Sequence, residues 1–136
     1  AASDVYKRQV LRMISEKAFE LGFTSNATNL KKDFLEREKE FSTGFGNGVA
    51  IPHAKTSDVN EPSIFFVRLN NKVDWNSMDD QPVNLIIAIV VPENAAKEHL
   101  DTLAKLSRKI IHSNFINQLQ TKDADQIADL IKETIA

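Results

Sequence analysis

Leu85-Ile86-Ile87-Ala88-Ile89-Val90-Val91 is an unbroken apolar run, closed by Pro92. It is strand-sized, rich in β-branched side chains, and far short of the roughly 20 residues needed to cross a bilayer. A strand with one wet face alternates apolar and polar residues. A continuous run marks a strand covered on both faces. The fold this predicts is a layered α/β domain whose central sheet is largely covered by helices.

The flanking sequence supplies the remaining elements. Residues 64–69, Ile-Phe-Phe-Val-Arg-Leu, form a β-branched and aromatic run between Pro62 and Asn70-Asn71, a second strand signal. Val73-Asp74-Trp75 reads as a short edge or bend, and Val49-Ala50-Ile51 as a short strand. A first helix is expected from Ser3 or Asp4 to Leu21, with Leu11, Ile14, Ala18 and Leu21 on one face and Gly22 as its stop. A second begins after Asn26, carries Leu30, Phe34 and Leu35, and ends near Lys39. After Pro92, Asn94 is placed to cap a helix running through Ile111, with Leu100, Leu103, Ala104 and Ile111 inward. A short helix at 115–119 and a last one from Asp123 follow, the latter grouping Ile127, Ala128, Ile131 and Ile135.

With 136 residues, 42% of them hydrophobic, the chain 1–136 is expected to be a single domain with an ordinary core. Its net charge of −2 weighs against a nucleic-acid partner, which would favour a basic patch. The absence of cysteine excludes disulfides, thiolate catalysis and cysteine-ligated zinc within the chain. No apolar run is long enough for membrane insertion and no secretory leader pattern is present, so the expected location is cytoplasmic.

Chemistry concentrates in Ser42-Thr43-Gly44-Phe45-Gly46-Asn47-Gly48-Val49-Ala50-Ile51-Pro52-His53-Ala54, which holds three of the four glycines. Glycine permits close backbone approach, so a loop of this kind leading to a histidine at a strand end can build a site around that imidazole. The same pattern also describes a glycine-rich turn before a buried strand with an incidental histidine, and spacing alone leaves both readings open. His99 falls in the first turns of the helix after the most buried strand, where amide donors and the helix dipole favour anions. Arg37 could turn a planar guanidinium toward a phosphate or carboxylate, or simply pair with Glu36, Glu38 or Glu40. His112, near a helix end, reads as a solvated surface residue. Nothing has the Gly-x-Ser-x-Gly spacing of a hydrolase or the His-Glu-x-x-His spacing of a zinc site.

Taken together, Arg37-Glu38, Ser42-Thr43-Gly44 and Gly48-Val49-Ala50-Ile51-Pro52-His53-Ala54 closely resemble the enzyme IIA domains of the fructose–mannitol class. These domains belong to the bacterial phosphoenolpyruvate-dependent sugar phosphotransferase system. The resemblance continues through Val73-Asp74-Trp75, Pro82-Val83-Asn84-Leu85 and Pro92 to His99-Leu100, and covers nearly the whole chain. Asp79-Asp80-Gln81 stands where many members carry Asp-Gly-Lys or a similar triplet.

The resemblance implies a mixed sheet with helices on both faces, a three-layer α/β/α sandwich. It implies that His53 is the phosphorylated residue, charged by the phosphohistidine of the carrier HPr, and that His99 and Arg37 stabilise the phosphoryl group. The next acceptor implied is a cysteine of enzyme IIB, which this cysteine-free chain must meet on another polypeptide or domain. The chemistry suits these residues. Neutral imidazole is a good nucleophile, and its phosphorylated form can pass the group on. Phosphoryl transfer asks for in-line positioning and neutralised equatorial oxygens, which the glycine-loop amides, His99 and Arg37 are expected to supply without metal or cofactor. The implied role is a phosphotransferase component for uptake of fructose or mannitol-like sugars. The alternative is a nitrogen-related regulatory enzyme IIA, whose phosphohistidine controls protein binding.

Overall fold

The computed structural model describes residues 2–136, which fold around one five-stranded mixed sheet. In chain order the elements are α1 (Ala2–Glu20), α2 (Ala27–Glu40), β1 (Gly44–Gly46), β2 (Val49–Ala50), β3 (His53–Thr56), β4 (Ser63–Val73), β5 (Val83–Pro92), α3 (Ala96–Lys109), α4 (Ser113–Thr121) and α5 (Ala124–Ile135). β5 is the spine. β4 runs antiparallel along one of its edges, and β2 and β3 lie parallel along the other. Val49 faces Leu85 and His53 faces Ile89 in one constant register, so residues 49–56 are a single strand interrupted at Ile51-Pro52. At the interruption the Ile51 amide turns to the Thr43 carbonyl, while the Pro52 carbonyl keeps contact with β5 by accepting from the Ile89 amide at 2.9 Å.

The unbroken run becomes the doubly covered strand that its composition predicts. Ile86, Ala88 and Val90 join the core under α1 and α2 with Leu11, Ile14, Leu30, Phe34 and Trp75. Leu85, Ile87, Ile89 and Val91 join the core under α3, α4 and α5 with Leu106, Ile110, Phe115, Leu119, Ile127 and Ile131. The result is the expected three-layer α/β/α sandwich.

Local signals explain most boundaries. Gly22, at φ 82, follows α1 as its stop, although Leu21 is exposed rather than inward. The Asn26 side chain accepts from the Asn29 amide and caps α2. Asp123 and Gln126 form a reciprocal capping box at the start of α5. In α3 the expectation fails in two ways. The N-cap is Ala95, with no side-chain cap, rather than Asn94. The sheet draws in Leu103, Leu106 and Ile110, leaving Leu100, Ala104 and Ile111 exposed. In α5, likewise, Ala128 faces out while Ile127 and Ile131 are buried.

Candidate active site

The glycine-rich segment folds into a hairpin. β1 and β2 pair antiparallel around Asn47-Gly48, both with positive φ (56 and 78), as a tight two-residue hairpin turn requires. The hairpin's amide groups are largely engaged: Gly44 donates to Ser42 Oγ at 3.1 Å and Asn47 to Asp79 Oδ2 at 3.1 Å. The Asn47 side chain ties the tip to the Ile110 carbonyl at 2.7 Å, at the end of α3. Four residues separate Gly48 from His53, on the order of 15 Å of extended chain. The tip's amides therefore do not surround the imidazole, contrary to the reading of this segment as an anion cradle.

What does surround the imidazole comes from two helices. His53 opens β3 immediately after the Ile51-Pro52 break, and it is buried, only 7% exposed, rather than presented freely at a strand end. Its Nδ1 lies 2.9 Å from the Ile51 carbonyl and its Nε2 accepts from Arg37 Nε at 2.9 Å. A carbonyl can only accept, so Nδ1 carries the proton and Nε2 the lone pair. Arg37, in the last turn of α2, is itself steadied by donation from Nη1 to the Phe41 carbonyl at 2.7 Å. From α3 the ring of His99 meets that of His53 edge-on, with centroids 4.7 Å apart. The structure thus brings His53, Arg37 and His99 together and leaves His112 exposed at the start of α4.

Burial lowers the pKa of His53 from its ordinary value. The Ile51 carbonyl acts against that shift and the Arg37 charge adds to it. Burial, followed by the neighbouring His53, Lys55 and Arg37, lowers His99 to about 4. Both rings are neutral at pH 7, so His53 offers a nucleophilic lone pair rather than a cation. His99 Nδ1 is buried without a hydrogen-bond partner. An unmet buried polar atom costs about 1–3 kcal/mol, a deficit that a suitable ligand atom would relieve. Among the described residues no group of three or more His, Asp or Glu side chains is arranged to hold a metal ion. Among the described residues no helix is long and apolar enough to cross a membrane.

Behind Arg37 lies a polar cluster that the sequence reading did not find. Glu38 accepts from Lys7 Nζ at 3.2 Å, from the Thr43 amide at 3.3 Å, from the Thr43 hydroxyl, and from Trp75 Nε1 at 3.3 Å. Trp75 Nε1 also reaches Thr43 Oγ1 at 3.0 Å, and Ser42 Oγ donates to the Trp75 carbonyl. Apart from the two from Thr43 to Glu38, five residues apart, these contacts span more than thirty positions of sequence, so no local pattern announces the cluster.

Comparison with known proteins places this geometry in context. The sequence model of the family described as "Phosphoenolpyruvate-dependent sugar phosphotransferase system, EIIA 2" matches residues 3–134. A fructose-like EIIA component from Escherichia coli K12 is 38% identical over 127 residues, spanning 93% of this chain and 86% of that protein. The crystal structure of the nitrogen regulatory protein IIA-Ntr from Neisseria meningitidis superposes with a TM-score of 0.81 at 30% identity, covering 96% of this chain and 86% of that one. The mannitol IIA of Escherichia coli, solved in complex with its phosphorylated enzyme IIB, shares the fold with a TM-score of 0.72 at 22% identity, covering 93% and 88%.

Proposed function

The chain belongs to the EIIA 2 family of the phosphoenolpyruvate-dependent sugar phosphotransferase system, and we propose that it is a phosphoryl carrier in which His53 is the residue that is phosphorylated. In this reading phospho-HPr is the donor and a cysteine of enzyme IIB the acceptor, in the service of uptake of fructose or a mannitol-like sugar. The observation that carries it is the environment of one atom. His53 Nε2 holds a lone pair in a neutral ring whose other nitrogen is committed to the Ile51 carbonyl, with Arg37 on that lone pair and His99 alongside.

The steps follow from those contacts. Arg37 Nε leaves Nε2 as the donor approaches and moves onto the phosphoryl oxygens. Nε2 attacks phosphorus, the N–P bond to the donor histidine breaks, and the electron pair stays with that leaving imidazole. Nδ1 keeps its proton and its hydrogen bond throughout, so the phosphorylated ring needs no second proton transfer. Arg37 and a ring N–H of His99 then stabilise the charge on the transferring group, the kind of preorganised donor that dominates such reactions. In the onward transfer the acceptor thiolate attacks phosphorus, the Nε2–P bond breaks, and its electron pair returns to Nε2.

The regulatory reading has its own support, the structural likeness to IIA-Ntr at 30% identity. We rank it second because the fructose-like relative keeps 38% identity across 93% of this chain and Val73-Asp74-Trp75 resembles the sugar-transporting branch. The test is transfer from the phosphorylated protein to fructose- and mannitol-class enzyme IIB. Label appearing on the IIB cysteine supports the transport role. Stable phosphoprotein that charges no IIB overturns it in favour of regulation.

A further inference from the structure

Arg37 contacts His53 directly, whereas its neighbour Glu38, with a side chain only 5% exposed, is bonded elsewhere. An ionised carboxylate offers about four acceptor positions. Here all four are used: Oε1 takes the Thr43 hydroxyl and Trp75 Nε1, and Oε2 takes Lys7 Nζ and the Thr43 amide. Lys7 also stands 5.4 Å from the centre of the Trp75 ring, so the pair is enclosed by the side chain that Glu38 bonds.

The consequence lies in what Thr43 does next. Its carbonyl accepts the Ile51 amide at 2.9 Å, across the base of the hairpin. The Ile51 carbonyl accepts His53 Nδ1–H, also at 2.9 Å. Hydrogen bonds linked by the backbone of Thr43 and of Ile51 therefore tie Glu38 to the protonated nitrogen of His53. The same carboxylate fixes the last turn of α2, from which Arg37 reaches the other nitrogen. Glu38 is thus the point at which both ends of the imidazole are held to one frame.

We propose that Glu38 is a positioning residue: through Thr43 and Ile51 it fixes the tautomer and aim of His53, and through α2 it fixes Arg37 against Nε2. It touches neither donor nor phosphoryl group. Glutamine cannot replace it. Either orientation of the amide turns an NH2 toward two donors, Thr43 hydroxyl with Trp75 or Lys7 with the Thr43 amide, so the cluster must open.

The kinetic part of this proposal rests on the phosphoryl-carrier reading; the spectroscopic part does not. Long-range 1H–15N spectra of the imidazole groups in the unphosphorylated protein should show His53 as a single Nδ1-protonated tautomer. In Glu38→Gln that signal should give way to a tautomer mixture. The maximal rate of phosphoryl uptake from phospho-HPr should fall about tenfold with the KM for phospho-HPr unchanged. Thr43→Val, which removes only the hydroxyl between Glu38 and Trp75, should show the same changes to a smaller degree. Lys7→Met should keep the tautomer. If Glu38→Gln does not fold because Lys7 is left as an unpaired buried charge, the double variant Lys7→Met/Glu38→Gln removes that charge and takes its place. A folded Glu38→Gln or double variant with the parent's His53 tautomer and maximal rate, or one changed only in KM, overturns the proposal. Should the parent accept no phosphate at all, the carrier reading fails, and the tautomer comparison alone decides the role of Glu38.

Discussion

Arg37 and His99 reach one imidazole from helices on opposite faces of the sheet, and the two helices hold them by different means. α2 is capped by Asn26, its Arg37 makes hydrogen bonds to His53 and to the Phe41 carbonyl, and Glu38 beside it is saturated with donors. α3 has no side-chain cap, is seated by an apolar stripe of Leu103, Leu106 and Ile110, and presents His99 with Nδ1 unpartnered. The α2 side is preorganised before anything binds. The α3 side keeps unused hydrogen-bonding capacity in a buried position. In the proposed reaction an incoming phosphoryl group would exchange a partner on one side and gain one on the other.

This contrast ranks the two helper residues. Arg37 offers a guanidinium donor, and charge-assisted hydrogen bonds are roughly twice as strong as neutral ones. Arg37→Ala is expected to slow phosphoryl transfer by ~10³-fold, the upper range for loss of one preorganised donor. His99→Ala, which removes a neutral donor, is expected to lose ~10²-fold, mostly in onward transfer to enzyme IIB. Single-turnover rates of the two variants check the order. Equal losses would show that the two sides contribute alike, and an unchanged rate for His99→Ala would make that residue structural.

Stability against pH probes the α3 side separately. A histidine whose folded pKa lies below its unfolded value of roughly 6.5 leaves stability intact above pH 6.5 and lowers it as the pH falls, because the unfolded chain takes up the proton first. For His99 the loss develops between about pH 6.5 and its folded value of about 4. Urea denaturation at pH 7.5 and pH 5 should show the parent losing on the order of 2 kcal/mol more than His99→Gln. Identical pH profiles would mean that His99 is not held neutral by its surroundings.

How far the sequence made this site legible depended on the range of the interactions. The 85–91 run reads as a doubly covered strand because burial on both faces leaves a composition with no alternation. His53 and Arg37 were legible through their motif, and His99 through its place after β5. The inward face of α3 was not, because residues 99, 103, 106 and 110 compete with an equally apolar stripe at 100, 104 and 111, and only the sheet decides between them. The hairpin was announced by Asn47-Gly48 but masked by the glycine count, which suggested a loop wrapped around an anion. The cluster of Glu38, Thr43, Trp75 and Lys7 was not legible as a cluster: Glu38 and Thr43 lie five residues apart, but Lys7 and Trp75 join them only once the helices pack on the sheet.

The smallest expected effect lies away from both helices, in the turn whose Asp79 receives the hairpin amide of Asn47. Asp80 there is exposed and sits at φ 59, a left-handed conformation that favours glycine. This accounts for the glycine that many members of the resembling family carry at this point. Asp80→Gly is expected to raise stability by about 0.5 kcal/mol, the relief of strain exceeding the entropy that glycine loses on folding. Thermal unfolding would show it as a small upward shift, with no change in phosphoryl transfer.

The central claim concerns one atom of one residue, and site mapping addresses it most directly. The purified protein and its His53→Gln variant, which keeps most of the buried volume, are incubated with phosphoenolpyruvate, enzyme I and HPr. Both are then mapped by mass spectrometry under mildly alkaline conditions that preserve the N–P bond. One acid-labile phosphate is expected, on His53, and none on the folded His53→Gln protein. Label on His99 or His112, or label persisting in the His53→Gln variant, would contradict it.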